Sequence, residues 1–312
     1  MNNDNHDLII IGASAAGVSA AIYAARRNLK FLVISKDIGG EVINSGEIEN
    51  YPGIKHTNGI ELTQKFIEQL EYYKVKIEQM VQVDKVEKSE SGFNILARKD
   101  NKELVLTSKT VIIATGIHPR VLPVPEESKL KGKGLSYCTT CDGPLFKNKI
   151  TATIGGGNSA LESVLMLAEL SPKVYLINKN PTFRGDNTLI SKVEANNKIK
   201  VIYNAKTTHL LGDKRVSGLI YTDKNDKEIE LKDIEGLFVH IGMIPNSDLV
   251  SDEVEKNKTG EIIVTKECHT NIPGLFAAGD VTDIPYKQIA VATGQGVSAL
   301  LSAVNFLNKL SD

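Results

Sequence analysis

Apolar residues in this chain gather in short continuous runs, and several of those runs end in glycine. Leu8 to Ile11 is the first. It ends in Gly12-Ala13-Ser14-Ala15-Ala16-Gly17, passes into an alanine-rich stretch of helical character to about Asn28, and is followed by a second apolar run at Phe31 to Ile34. The pattern predicts a strand, a glycine turn, a helix and a strand. Ile150 to Ile154 leads the same way into Gly155-Gly156-Gly157-Asn158-Ser159-Ala160, a helical stretch through Leu170, and an apolar run at Val174 to Ile177. Parallel strands need a crossover helix, and a nucleotide crevice forms where the first strand meets its helix. The repeat therefore predicts an α/β fold with two Rossmann-like doubly wound domains.

Three later runs also end in glycine: Val111 to Gly116, Leu237 to Gly242 and Leu275 to Gly279. Such runs suit strands that deliver loops to a cofactor crevice. His118 to Lys133 is rich in Pro, Glu and Lys, and Pro245-Asn246 closes the second unit, so both are candidate linkers. The C-terminal Gly279-Asp280 needs a cofactor to serve. If the last segment returns to the first unit, that domain is discontinuous, with the second inserted in it: 1–117, then 118–245, then 246–312.

The helix N-terminus behind each glycine turn exposes unpaired N–H groups and the positive end of the helix dipole, so a pyrophosphate docks there when no side chain blocks it. Gly155-x-Gly157-x-x-Ala160 meets that condition, and Asn158 and Ser159 complete the turn. The first turn has Ser14 where a bare backbone normally admits the phosphate; its hydroxyl either donates to the ligand or pushes it away. Each turn alone is also compatible with a structural role, but two at matched positions point to two dinucleotide sites.

An acidic side chain at the end of the second strand would take both ribose hydroxyls. Ser35 and Asn178 stand there, neither of them acidic. Lys179 and Arg184 follow Asn178, within reach of a 2′-phosphate; the competing reading is a solvated surface turn. A charge-assisted hydrogen bond contributes about 1.5–3 kcal/mol, so one missing cation costs about tenfold or more in preference for the phosphorylated nucleotide. NADPH and NADH both stay open.

Cys138-Thr139-Thr140-Cys141-Asp142-Gly143 carries the redox chemistry. Two cysteines three apart can close a disulfide that opens by two-electron transfer, and the Asp142 carboxyl can move the proton that thiolate chemistry requires. Half of a zinc site and a buried pair of inert thiols are the alternatives. Zinc would need a second ligand pair, for which only Cys268-His269 offers itself, and no metal is expected. Cys268 alone reads as a packed small hydrophobe, and His118 and His240, near strand ends, as structural.

Composition narrows the partners. The 312 residues are 41% hydrophobic and 24% charged, ordinary globular material with apolar content for more than one core. Thirty-seven Lys and Arg against thirty-eight Asp and Glu leave a formal net charge of -1, with no global field for nucleic acid or an anionic membrane. Three cysteines do not make a secreted disulfide framework, and MNNDNHD lacks the basic-then-apolar run of a signal peptide, so a cytoplasmic protein is expected. Ile289 to Leu307 carries no charge, yet its Thr, Ser, Asn and Gln residues would be costly in hydrocarbon, and it reads as a buried helix.

In order along the chain, IIGASAAG, GGEVINSGEIENYPG, VIIATG, YCTTCDGPLF, IGGGNSALES, FVHIGMIPN, GLFAAGDVTD and KQIAVATGQG converge on a family. Over essentially its whole length the sequence resembles the low-molecular-weight thioredoxin reductases, among the pyridine nucleotide-disulfide oxidoreductases, and is similar to the reductase portion of the alkyl hydroperoxide reductase flavoprotein. The resemblance implies a FAD-binding domain from 1–117 and 246–312, and an NAD(P)H-binding domain from 118–245 that also carries the redox CxxC. It implies FAD contacts from Gly12, Ser14, Ala15, Ala16, Gly17, Gly40, Glu41, Asn50, Val83, Ala114, Thr115, Gly116, Gly279, Asp280, Lys287, Gln288 and Ile289. The last three would open a helix whose N-terminus faces the flavin. Cys141 would face the flavin, Cys138 would attack the protein substrate, and Asp142 would donate the proton.

The family usually has Gly at Ser14, Gln at Glu41 and Arg at Lys287. Its His-Arg-Arg run is replaced by Asn178-Lys179-Asn180, and the Glu that NADH-using peroxide relatives carry at Asn178 is also missing. CDGPLF and PYKQI look more like the peroxide relatives, although their N-terminal thioredoxin-like module is not expected here. The implied activity is a FAD-dependent thioredoxin-disulfide reductase, a homodimer passing electrons from NAD(P)H to thioredoxin or a thioredoxin-like protein. One disulfide cannot easily face both a flavin and a bulky partner, so rotation of the inserted domain between steps is expected. Alternatives are the same relay fed by ferredoxin or serving a peroxidase partner, and a non-enzymatic flavin redox sensor.

Overall fold

The computed structural model describes residues 6–45 and 47–311, with the side chains of Glu47, Cys141 and Ser311 outside the described part. The chain divides into two compact units. One takes the chain up to His118 and again from Ile244, and the other is Pro119–Met243.

The first unit opens with β1 (His6–Ala13), α1 (Ala15–Arg26) and β2 (Phe31–Ile38). Next come α2 (Gly59–Tyr72), β3 (Ile77–Glu78), β4 (Val81–Ser89), β5 (Gly92–Lys99) and β6 (Lys102–Ile113). Asn58 caps α2, its side-chain carbonyl accepting from the Glu61 N–H at 2.9 Å. β1 lies between β2 and the second half of β6, parallel to both, with Leu8 level with Phe31 and Thr110. Parallel strands covered on both faces read as unbroken apolar runs, which is why Leu8, Ile9 and Ile10 are wholly buried.

The second unit carries β7 (Leu135–Ser136), α3 (Thr139–Asp142), β8 (Thr151–Gly155), α4 (Asn158–Leu170), β9 (Val174–Ile177), β10 (Ile199–Ile202) and β11 (Gly236–His240). Its five strands are all parallel, in the order β7-β11-β8-β9-β10. The chain then returns to the first unit, where β12 (Leu275–Ala277) pairs with β6 and α5 (Ile289–Ser311) packs on α1.

The alanine-rich composition of α1 has a packing cause. A Cβ on Gly296 of α5 would sit 2.0 Å from the Ala16 carbonyl oxygen, and Ser19 Oγ donates to the Thr293 carbonyl at 2.8 Å. Only small side chains let the two backbones approach that closely.

Three expectations need correction. The first sheet is mixed: β4 and β5 form an antiparallel meander with the first half of β6, and the second unit carries a separate antiparallel sheet of 206–211, 218–222 and 228–232. Those strands alternate polar and apolar residues, a signal the search for glycine-ended runs passes over. The 118–133 stretch is no loose linker beyond its first residue. Leu122, Val124 and Leu130 are buried in the second unit, and the Tyr137 hydroxyl accepts from the Leu122 N–H at 2.9 Å and donates to Glu127 at 3.0 Å. The α5 segment is long and apolar enough by composition to cross a membrane, and the helix expected there as buried is covered on one face, through Ala292, Ala299, Leu300, Ala303 and Val304.

Candidate cofactor and redox sites

In the first unit the carboxyl ends of β1, β2, β6 and β12 open onto a crevice of about 1090 Å³. Of the residues implied as FAD contacts, all but Gly17, Asn50 and Gln288 line it. Gly17 sits behind the turn: a Cβ there would lie 1.9 Å from the Gly12 carbonyl oxygen. Gly12 has φ +112°, and its Cβ would meet the Ala114 oxygen at 2.2 Å. These two glycines let helix, strand and turn close up, while Ala15 and Ala16 border the open side. Asn50 donates to Gln288 at 3.4 Å.

The α1 N-terminus has no side-chain cap and no acidic residue in its first turn. Its free N–H groups face a bare turn, the arrangement a pyrophosphate requires, so the residues present fit a dinucleotide. Ser14 resolves its two alternatives in a third way, donating to the Gly39 carbonyl at 2.6 Å and tying the turn to the next loop. Ser35 is likewise spent, on the Asp37 carbonyl. Lys36 and Asp37, one and two positions later, line the crevice beside it. Sequence reasoning missed them by stopping at the strand's last buried residue.

Asp280 follows Gly279, whose added Cβ would lie 3.1 Å from the Ala16 Cβ, and burial pushes the Asp280 carboxyl up against the opposing pull of Lys287. The Lys287 ammonium donates to the carbonyls of Asp280 at 3.1 Å and Thr282 at 2.5 Å and pairs with Glu261 at 2.8 Å. Burial raises the Glu261 carboxyl, but bonds from Lys287 and Asn257 outweigh it and hold the group below its ordinary range. Lys287 thus builds the wall at Gly279-Asp280.

In the second unit, Gly155 at φ +151° brings β8 against β11, since its Cβ would meet the His240 oxygen at 2.2 Å. A Cβ on Gly157 would meet nothing within 4 Å, and α4 begins there without a side-chain cap. This turn also presents an open helix N-terminus. Asn178, expected at the ribose, is withdrawn: it is 1% exposed, donates to the Thr182 carbonyl at 2.9 Å and accepts from the Asn180 N–H at 3.1 Å. The loop it shapes returns to the turn, where the Arg184 N–H donates to Gly156 at 2.8 Å and Asn158 exchanges two hydrogen bonds with Asp186. Lys179 and Arg184 are exposed, with no ion pair among the described residues.

Cys138 is disulfide-bonded and half-buried, while Cys268 is a free, buried thiol. The side chain of Cys141 lies outside the described residues. The Cys138 N–H donates to Ser136 Oγ at 3.0 Å, and the Asp142 N–H donates to the Cys138 carbonyl at 3.1 Å. Asp142 is half-buried at the end of α3. Burial pushes the Cys268 thiol up to about 11, and its Sγ approaches the Gln295 carbonyl at 3.5 Å, a packed thiol with little thiolate character.

Two open glycine turns, one on a dinucleotide-sized crevice and the other in the unit that carries a disulfide, form the pattern that comparison with known proteins matches. The pyridine nucleotide-disulphide oxidoreductase family model covers residues 6–296. The chain belongs to that family. The F component of the alkyl hydroperoxide reductase of Staphylococcus aureus is 38% identical over 306 residues, which are 98% of this chain and 60% of that protein. The chain therefore spans about three fifths of the length of the curated relatives it matches. Among solved structures, the Lactococcus lactis thioredoxin reductase superposes with a TM-score of 0.79 at 33% identity, covering 98% of this chain and 100% of that one. The T. acidophilum thioredoxin reductase gives 0.76 at 37% identity, with coverage of 98% and 99%. As a member of this family the chain is an oxidoreductase with the two-domain Rossmann-like fold, and the family implies binding of flavin and pyridine nucleotide.

Proposed function

We propose that this chain is a FAD-dependent disulfide reductase that takes two electrons from a nicotinamide nucleotide and delivers them, through a Cys138/Cys141 disulfide, to thioredoxin or a thioredoxin-like protein. The observation that carries the reading is Cys138, held in a disulfide at the head of a short helix, in the unit that also presents the open turn at Gly157. When bound, FAD supplies two-electron transfer between nicotinamide and disulfide. The uncapped N–H groups at Ser14, Ala15 and Ala16 would hold its pyrophosphate, with Asp280 lining the same crevice. Opening the bridge takes up two electrons and two protons; Cys138 then attacks the partner's disulfide as thiolate, and the Asp142 carboxyl delivers a proton to the sulfur that leaves.

Lys179 and Arg184, exposed and unpaired, with no carboxylate at Asn178 to repel a 2′-phosphate, favour NADPH over NADH. The withdrawal of Asn178 also supports a second reading, the same relay fed by another donor such as ferredoxin; CDGPLF and the similarity to the alkyl hydroperoxide reductase component support a peroxidase partner in place of thioredoxin. A cytoplasmic homodimer completes the proposal. The test is the visible spectrum of the pure protein under anaerobic titration with each nucleotide. One bound flavin bleached by NADPH at lower concentration than by NADH is expected. Bleaching by neither selects the other donor, and a protein that cannot take up FAD overturns the proposal.

A further inference from the structure

Four side chains from four elements meet behind the redox turn. Thr139 Oγ1, on the residue following Cys138, lies 2.6 Å from Ser163 Oγ on α4 and 2.8 Å from His240 Nε2 at the end of β11. Ser163 Oγ lies 3.1 Å from Thr153 Oγ1 on β8. All three hydroxyl residues are buried. Burial pushes the His240 imidazole down to about 4, so at neutral pH it is uncharged and Nε2 makes one directed hydrogen bond, as donor or as acceptor. A threonine hydroxyl has one proton and two lone pairs, so Thr139 can donate to only one of its two neighbours, and the hydrogen bonds continue through Ser163 to Thr153. On the other side of the same turn, Ser136 Oγ accepts from the Cys138 N–H and donates to the Cys138 carbonyl at 3.2 Å.

α3 is four residues long, whereas an isolated helix needs about 12–15 residues to be even marginal in water. Its shape therefore comes from what ties it to the rest of the unit. We propose that His240, acting through Thr139, is a positioning residue for the redox disulfide: it keeps α3 folded when the bridge is open, and so favours closure of the two thiols. The inference rests on the reading of Cys138 and Cys141 as the redox pair. Closing the bridge removes two electrons and two protons from two thiols and forms one S–S bond. The protein's part in that equilibrium is the effective concentration of one thiol at the other, which falls when the helix that carries Cys141 and follows Cys138 frays.

The test equilibrates the flavin-loaded full chain anaerobically with graded ratios of reduced and oxidised dithiothreitol. In that exchange dithiothreitol loses two electrons and two protons and cyclises, and the protein bridge takes them up and opens. Iodoacetamide then traps the thiols, and the peptide containing Cys138 is weighed, while a melting curve establishes that each variant is folded. His240→Leu and Thr139→Val are each expected to lower the closing constant about tenfold, about 30 mV for a two-electron couple, toward a bridge more easily reduced. The double variant should go no further than either single one, because both cut the same chain. His240→Gln and Thr139→Ser, which keep a hydrogen-bonding group, should stay within about threefold of the parent. Should His240→Leu fail to fold, Thr139→Val against Thr139→Ser carries the comparison. Unchanged constants in folded variants, a shift toward a bridge harder to reduce, or additive effects in the double variant overturn the proposal. A parent chain whose Cys138 bridge opens nowhere in the series overturns instead the redox reading beneath it.

Discussion

The two glycine turns share one order of elements and differ in what their neighbours do with the opening. At the first, Ser14 ties the turn to Gly39, Ser35 folds onto Asp37, and the wall at Gly279-Asp280 comes from the far end of the chain. At the second, one continuous loop after β9 supplies everything: Asn178 tucks under Gly156, the Arg184 N–H holds the Gly156 carbonyl, and Asp186 engages Asn158. The first turn is assembled from remote segments into a crevice of about 1090 Å³, which under the proposed function would keep its cofactor. The second is a local construction whose exposed cations would, on the same proposal, meet a nucleotide that exchanges. The order of strand, glycine turn and helix is the same in both, although Ser14 and Gly17 of the first stand where the second has Gly157 and Ala160; the neighbouring polar side chains set the further difference.

The largest expected effect breaks the comparison at its glycines. Gly17→Val puts a branched side chain where even a Cβ would lie 1.9 Å from backbone, and should cost more than about 3 kcal/mol of stability, with loss of flavin, by denaturant unfolding. Gly157→Ala, with nothing within 4 Å, should leave the melting temperature within about 2 °C and weaken nucleotide binding alone. A comparable loss of stability in both would show that the turns are structurally equivalent.

Acid should separate the two units by pH window. His240 titrates near 6.5 unfolded and at about 4 folded, so the unfolded chain binds the proton first. The stability its neutral form provides is present above about 6.5 and falls away as pH drops toward 4, on the order of 3 kcal/mol. Glu261, depressed in the first unit, contributes above 4.5 and loses that contribution as pH falls through its lower folded value. Hydrogen exchange resolved by peptide should show the second unit loosening at a higher pH than the first, and His240→Gln should remove that difference. Lys287→Met should cost the first unit about 1–3 kcal/mol and blunt its acid response, measured the same way, because it removes the ammonium that Glu261 and two carbonyls share.

Smaller effects sharpen the ligand side. Arg184→Ala should reduce the preference for NADPH over NADH about tenfold by equilibrium titration, with little effect on flavin retention. Ser14→Ala, which cuts the tie to Gly39, should weaken FAD binding about fivefold, read from flavin fluorescence, and leave nucleotide binding unchanged.

What the sequence made legible follows from range. Apolar runs ending in glycine announced β1, β8 and their turns because strand, turn and helix are contiguous, and Gly279-Asp280 pointed to the returning segment because a bare acidic loop needs a cofactor. Side-chain commitments were not legible. Ser14 meets a carbonyl 25 residues away and Thr139 an imidazole 101 residues away, so the chemistry of each was visible and its direction was not. Asn178 was assigned outward by analogy of position, but an amide can cap its own loop, and here it does. His240, near a strand end, reads as structural; the polar residues Thr153 and Ser163 on neighbouring buried elements are the signal that a hydrogen-bonded chain crosses that core.

The central claim is that electrons from a nicotinamide nucleotide reach the bridge that holds Cys138. Its most direct measurement adds NADPH anaerobically to the flavin-loaded protein, traps thiols with iodoacetamide and weighs the peptide spanning Cys138 and Cys141. The account predicts two added alkyl groups on that peptide, appearing only when nucleotide is present. A flavin that bleaches fully while the peptide stays unalkylated would contradict it.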